Sequence, residues 1–318
     1  MNRLLLLALI STLPASAIVI TTGDPNSSAY TVGYQESVGG VNLSGVVKIT
    51  SSRGGCTGSL LGDGYSILTA AHCITTAYGA PVATGITANF QGPSGFVPLT
   101  VDLTFVDPAY TGDATVGGDL AVLRLTGLAP SYATRYSLFS GLVTTDPIVL
   151  AGYGYSGTGA TGYNSGTYGF GTLRAGTNAY VLDGSEVGWS DSLLLGQFYD
   201  ANQPLTNGLE SPNPYTSADE VMIAPGDSGG PSFYNGSLVG VHDLIVCFSP
   251  ENSSNCSVPP SVSTTLNASY GQIFADVSVS SNAEWIQAQM VPEPGTWSFS
   301  VSMTLLVLAR RYIRGLRK

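Results

Sequence analysis

Bases and histidines are what this 318-residue chain has least of: eleven Lys and Arg stand against 21 Asp and Glu, with two His and a net charge of −10. Charged residues make up only 10% of the chain, while 43% is hydrophobic. Six of the bases sit at the ends, as Arg3, Arg310, Arg311, Arg314, Arg317 and Lys318. That leaves Lys48, Arg53, Arg124, Arg135 and Arg174 for everything between. So acidic an interior repels phosphate backbones and anionic lipid, which excludes nucleic acid as a partner. No second His or Cys falls at zinc-like spacing from the His72-Cys73 pair, so no metal and no other cofactor is expected. From 18 to 290 the chain lacks long apolar runs, and it lacks 3.6-residue periodicity until its last ten positions. Long helices have no material there.

The two ends carry the apolar runs that the middle lacks. "MNRLLLLALISTLPASA" has a basic start, an apolar core and the small-residue ending Ala15-Ser16-Ala17, the pattern of a secretory signal cleaved after Ala17. Its apolar core of about nine residues is too short to span a bilayer, which needs roughly twenty. At the other end, Val291-Pro292-Glu293-Pro294 precedes an apolar stretch from Trp297 to Ala309 and a basic cluster starting at Arg310-Arg311. By physics this is a marginal membrane segment with its basic end held in the cytoplasm, making transient membrane contact. It resembles the PEP-CTERM sorting signal of Gram-negative bacteria, which implies exosortase-type sorting machinery as a partner and removal of 291–318; an ordinary C-terminal anchor is the alternative. Either reading places the region between outside the cytoplasmic membrane. The four cysteines of such an exported chain fit two disulfides, in any of three connectivities.

Between the ends, short apolar stretches such as "GVVKIT", "YSILTAA", "DLAVLRL", "DPIVLAGYG" and "SLVGVHDLIV" are separated by Gly, Ser, Thr, Asn and Asp. Many short strands with regular turn signals predict an all-β barrel or sandwich. "SNAEWIQAQM", 281–290, opens on a capping residue followed three positions later by Glu284 and predicts a short C-terminal helix. "GYGYSGTGATGYNSGTYGFG", 152–171, is expected to be a mobile surface loop.

Three places carry chemistry. His72 ends the apolar stretch "ILTAAHC", a strand end suited to delivering an imidazole to a cleft. Asp119 opens the apolar strand "DLAVLRL" and can fix the tautomer of such an imidazole. Ser228 lies in "IAPGDSGGP", where glycines let a hydroxyl project while nearby N–H groups converge, a turn able to attack a carbonyl and hold the oxyanion.

"TAAHC", "DLAVLRL" and "GDSGGP", in that order, resemble the chymotrypsin/trypsin-like serine peptidases, across most of the span from Cys56 to about Gln287. "LAGYG" and "EWIQAQ" resemble that family's entry to its second barrel and its closing helix. The resemblance implies two packed antiparallel six-stranded β-barrels, about 18–140 and 141–280, followed by the helix. It implies His72 as base, Asp119 as its orienting acid, Ser228 as nucleophile, and Gly226 and Ser228 N–H groups as the oxyanion hole. It implies disulfide Cys56–Cys73 beside the base, leaving Cys247–Cys256. Signal removal would expose Ile18-Val19, like the family's N-terminus whose buried amine holds the acid at Asp227. Met222 would be the pocket floor and Asp243, Leu244 and Ile245 the strand that binds substrate. With Met222 where an acid selects Arg or Lys, cleavage after small or medium apolar residues is expected; the family's cysteine four positions before the nucleophile is Ala224 here. The reading is a secreted serine endopeptidase acting on protein or peptide. The alternative is a silent surface-sorted binding protein, which has no chemical need of all three residues.

Overall fold

In the computed structural model, residues 7–10, 18–141, 145–200, 217–249, 256, 263 and 265–290 are described. The expected sorting segment 291–318 and the expected signal, apart from 7–10, lie outside them. Leu7–Ile10 runs antiparallel to the end of the strand Ser237–Ser249, with Ile10 opposite Val246. No helix among the described residues is long and apolar enough to cross a membrane.

A strand buried on both faces reads as a near-continuous apolar run, and Ala121–Leu125 is one. Its Ala121, Leu123 and Leu125 pack with Val47, Ile49, Leu60, Ile67 and Phe90 inside a barrel. Its Val122 faces the other way, with Val46, Leu61 and Leu68, into a core shared with Phe233, Val241 and Val277 of the second half. The barrel is closed: Ala121–Leu125, Ser66–Thr69, Gly54–Leu60, Val46–Ser51, Thr87–Gly92 and Gly95–Val106 pair in that order, and the last returns to the first. In Thr87–Gly92, Ala88 and Phe90 point inward between half-buried neighbours, as the two-residue period of a strand requires.

The second half is a curved sheet ordered Arg174–Asn178, Ile148–Gly152, Pro231–Tyr234, Ser237–Ser249, Ile273–Ser278, Leu193–Gln197 and Tyr180–Asp183. The two-barrel chymotrypsin-like architecture is present, with one barrel closed and the other a half-barrel by its hydrogen-bond ladders. Its end strands are neighbours in sequence, separated only by Ala179. The chain bends there, so its first part pairs with Ile148–Gly152 and its second with Leu193–Gln197. The Asn178 side chain bridges the break, its Nδ2 donating to Gln197 O at 3.2 Å and Val221 O at 2.8 Å.

Two local expectations are corrected. The Gly/Tyr-rich stretch is no free loop: Gly157–Thr158 and Gly162–Tyr163 join a four-stranded sheet with Val19–Ile20 and Val221–Met222. Glycine composition permits mobility but does not oblige it when backbone partners are supplied. The C-terminal helix is shorter than 281–290. Ser280–Asn282 forms a tighter 3-10 turn, and the α-helix covers Ala283–Gln289 with no side-chain cap at its start. Ser281 is occupied elsewhere, its hydroxyl and N–H both turned to Ser278 Oγ. The helix buries Ile286 in the shared core.

Candidate active site

The strand Ser66–Thr69 ends at the seam between the halves, and a 3-10 turn, Ala71–Cys73, follows at once and carries His72. Disulfide Cys56–Cys73 ties that turn to the strand Gly54–Leu60, and a second disulfide joins Cys247 to Cys256. Asp119 precedes Ala121–Leu125 and is 1% exposed. It accepts two hydrogen bonds from one residue: the His72 backbone N–H donates to Oδ1 at 2.8 Å, and His72 Nδ1–H donates to Oδ2 at 2.6 Å. Nδ1 is thereby the protonated nitrogen, which leaves Nε2 as a lone-pair base. Burial pulls the imidazole pKa down, but the charge and hydrogen bond of Asp119 more than offset it, and the net shift is upward. Asp119 moves down: burial raises its pKa, and the His72 charge and the bonds it accepts outweigh that.

Ser228 lines the same cleft, in a turn that both halves hold in shape. Thr57 N–H donates to Ser228 O at 2.9 Å and Thr57 Oγ1–H to Gly226 O at 2.8 Å. Gly229 N–H donates to His242 O at 2.7 Å. Gly226 and Gly229 have φ of +97° and +77°. A Cβ on Gly229 would stand 2.0 Å from Thr69 Oγ1, so only glycine fits. Among the described residues, neither Gly226 N–H nor Ser228 N–H donates to a protein acceptor, and no hydrogen bond links Ser228 to His72. Such bonds are often long in the absence of substrate.

The remaining expected residues divide. Leu244 and Ile245 line the cleft together with Ile223, Ala224 and Pro225. Met222 does not: it is fully buried and paired with Val19. The count from the nucleophile reached Met222, but the cleft wall is made by the next three residues. Asp243 lines the cleft with a buried side chain, its Oδ1 4.0 Å from His72 Nδ1, so it stands beside the His72–Asp119 pair as well as in the cleft wall. Ile18 is fully buried and its carbonyl accepts from Ser156 Oγ. Asp227 is fully buried too, but its oxygens accept from Ala224 N–H at 2.9 Å and Gly154 N–H at 3.2 Å, and among the described residues no hydrogen bond joins it to Ile18. Burial pushes the Asp227 carboxyl well up, opposed by those two N–H groups and by the charge of Arg174. Thr57 and Arg174 gave no signal in the sequence, and Gly154 only that of the "LAGYG" stretch it closes, since each acts through contacts more than fifty residues away.

A closed barrel and a half-barrel meeting at a cleft with a carboxylate-held imidazole and a glycine-framed serine define the chymotrypsin-like class. The family model for Trypsin matches residues 31–269, and the chain belongs to that family of serine proteases, which implies protein or peptide substrates. Among solved structures, it is similar to neuropsin, a serine protease expressed in the limbic system of mouse brain. That likeness has a TM-score of 0.53 at 16% identity, over 78% of this chain and 95% of that one, and speaks for the fold alone. No curated protein matches the chain by sequence.

Proposed function

We propose that the chain is an exported serine endopeptidase that cleaves through an acyl-enzyme at Ser228. The observation that carries this is the His72 imidazole, held at its backbone and its ring by one buried carboxylate, in the same cleft as Ser228. In this reading Nε2 takes the Ser228 proton as the hydroxyl attacks the scissile carbonyl, and Asp119 stabilises the imidazolium that forms. The free N–H groups of Gly226 and Ser228 receive the oxyanion; one such donor is worth about 10²–10³ in rate. The imidazolium then returns its proton to the leaving amine, and water repeats the sequence to release the acid. Ile223, Ala224, Leu244 and Ile245 offer the substrate an apolar wall, which supports cleavage after small or medium apolar residues and not after Arg or Lys.

Export through the signal 1–17 and sorting through 291–318 by an exosortase-type enzyme belong to the same proposal, and place the peptidase in the periplasm, at the cell surface or outside a Gram-negative cell. Activation by the new Ile18 amine is supported by the seat already made for this segment: Val19 and Ile20 pair with Met222 and Val221, which lie shortly before the site turn Gly226–Ser228. Incubation with a fluorophosphonate probe tests the catalytic core. A single adduct on Ser228, located by mass spectrometry and missing in Ser228→Ala, is expected; an unlabelled wild-type protein would remove the proposal.

A further inference from the structure

Beside Asp119 and the His72 ring stands a carboxyl group with no donor among the described residues. The strand Ser237–Ser249 slips register against Ile273–Ser278 between His242 and Leu244, and Asp243 falls at the slip without a ladder partner. Slips of this kind re-aim a side chain. His242 turns to Asp276, its Nδ1 2.9 Å from Oδ1, while Tyr180 and Ser232 hydroxyls donate to Asp276 Oδ2. Asp243 turns to the cleft side instead, where its carboxyl, Asp119 and the His72 ring each place one atom within 4.8 Å of the other two. It is 5% exposed, and neither of its oxygens accepts from an N–H or O–H among the described residues. Its neighbour there is the Asp119 carboxylate, which already accepts twice from His72. Two carboxyl groups sharing one buried site disfavour ionising together, and a proton kept on one of them turns an acceptor into a donor.

We propose that Asp243 is a positioning residue that keeps its proton at neutral pH and donates it to Asp119, orienting the carboxylate that holds the His72 imidazole. This rests on the reading of His72, Asp119 and Ser228 as the catalytic groups. The surroundings assign the proton to Asp243. Burial first, then the negative charges of Asp119, Asp276 and Asp113, push its carboxyl well above the ordinary range, whereas Asp119 is drawn down by His72. Tyr110 also faces the pair, the charge of Arg53 acts on the adjoining His72 and Tyr110, and His242 precedes Asp243 on its own strand. Two carboxyls driven apart in this way take different roles. The sign follows: a carboxyl neutral in the fold stabilises it below the ordinary carboxylate pKa, and that contribution is lost as pH rises toward the raised value. Above that value a second negative charge would stand beside Asp119, so kcat/KM should fall on an alkaline limb.

The test compares the protein with Asp243→Asn, which keeps a donor but cannot ionise, and with Asp243→Ala, which has none. In the infrared difference spectrum at pH 7, wild type minus Asp243→Asn should show one protonated side-chain carboxyl; taking the difference removes Glu220 and Asp227, whose carboxyls burial also pushes up. Asp243→Asn should keep kcat/KM within about threefold and lose the limb that Asp243 contributes, while Asp243→Ala should fall at least about tenfold, as for the loss of one hydrogen bond to a charged group. Absence of that carboxyl band would overturn the proposal. So would equal kinetics in the two variants, or a stoichiometric divalent metal bound by wild type and lost in Asp243→Asn, since a cation would then bridge the carboxylates. Ser228→Ala should retain the band. A band present in a wild type that hydrolyses nothing would sink the catalytic reading and leave the shared proton standing.

Discussion

Asp119 spends both oxygens on His72, and this double hold sets the behaviour of the base. Because the carboxylate raises the imidazole pKa, the neutral form that can accept a proton appears only at higher pH. kcat/KM should therefore rise with pH through a value above the ordinary histidine pKa of about 6.5, measured with a small ester or peptide substrate. Asp119→Asn should move that limb down and lower kcat by roughly 10⁴ through loss of the correct tautomer; an unmoved limb would assign the titration to another group. Thr57 is tested more gently. Its hydroxyl donates to Gly226 O and accepts from Tyr153 N–H at 3.0 Å, both buried. Thr57→Val should leave both groups unpaired at about 1–3 kcal/mol each, seen in denaturant unfolding. Thr57→Ser should restore most of the loss.

At the scale of the element, the short turn Ala71–Cys73 cannot hold itself and depends on what anchors it. The Cys56–Cys73 bridge closes a loop of 17 residues, for which the chain-entropy model gives about 3 kcal/mol. Replacing both cysteines by Ala should lower Tm by roughly 6–12 °C, at about 2–4 °C per kcal/mol for a domain of this size. Calorimetry of the double variant decides it: an unchanged Tm would mean that packing alone sets the turn. The helix Ala283–Gln289 has too few residues to persist by itself, so its stability comes from Ile286 in the shared core. Ile286→Ala should cost about 2–5 kcal/mol without altering probe labelling of the molecules that remain folded.

For the molecule as a whole, the coupling to test is that between the segment starting at Ile18 and the site turn. Ile18 is already buried, Val19 and Ile20 are paired with Met222 and Val221, and Asp227 accepts from Ala224 and Gly154 N–H groups. If cleavage supplies the Ile18 amine to Asp227, a protein starting Met-Ile18, with the Met shown by mass spectrometry to be retained, should be far less active than one starting at Ile18. Asp227→Asn should be impaired in both forms, because the Gly226–Ser228 turn loses its anchor. Equal activity from both starts would show that Ala224, Gly154 and the Arg174 charge suffice to hold Asp227.

What the sequence determined by itself is local. Apolar alternation with turn residues dictates short strands, and three glycine- or apolar-framed stretches mark His72, Asp119 and Ser228, because each needs a particular backbone at its own position. The closing helix was legible for the same reason, though its first turn was not, since Ser281 found a partner in Ser278 that pattern alone does not reveal. Tertiary structure decided everything that depends on what lies opposite. It made the Gly/Tyr-rich stretch a paired sheet by bringing Val19–Ile20 alongside, and it took Met222 out of the cleft by pairing it with Val19. It also turned Asp243 from a counted pocket position into the neighbour of Asp119, through a register slip against Ile273–Ser278 that is a property of two strands and is written in neither. A carboxyl's protonation depends on its desolvation and on the charges around it, and those exist only once the chain has folded.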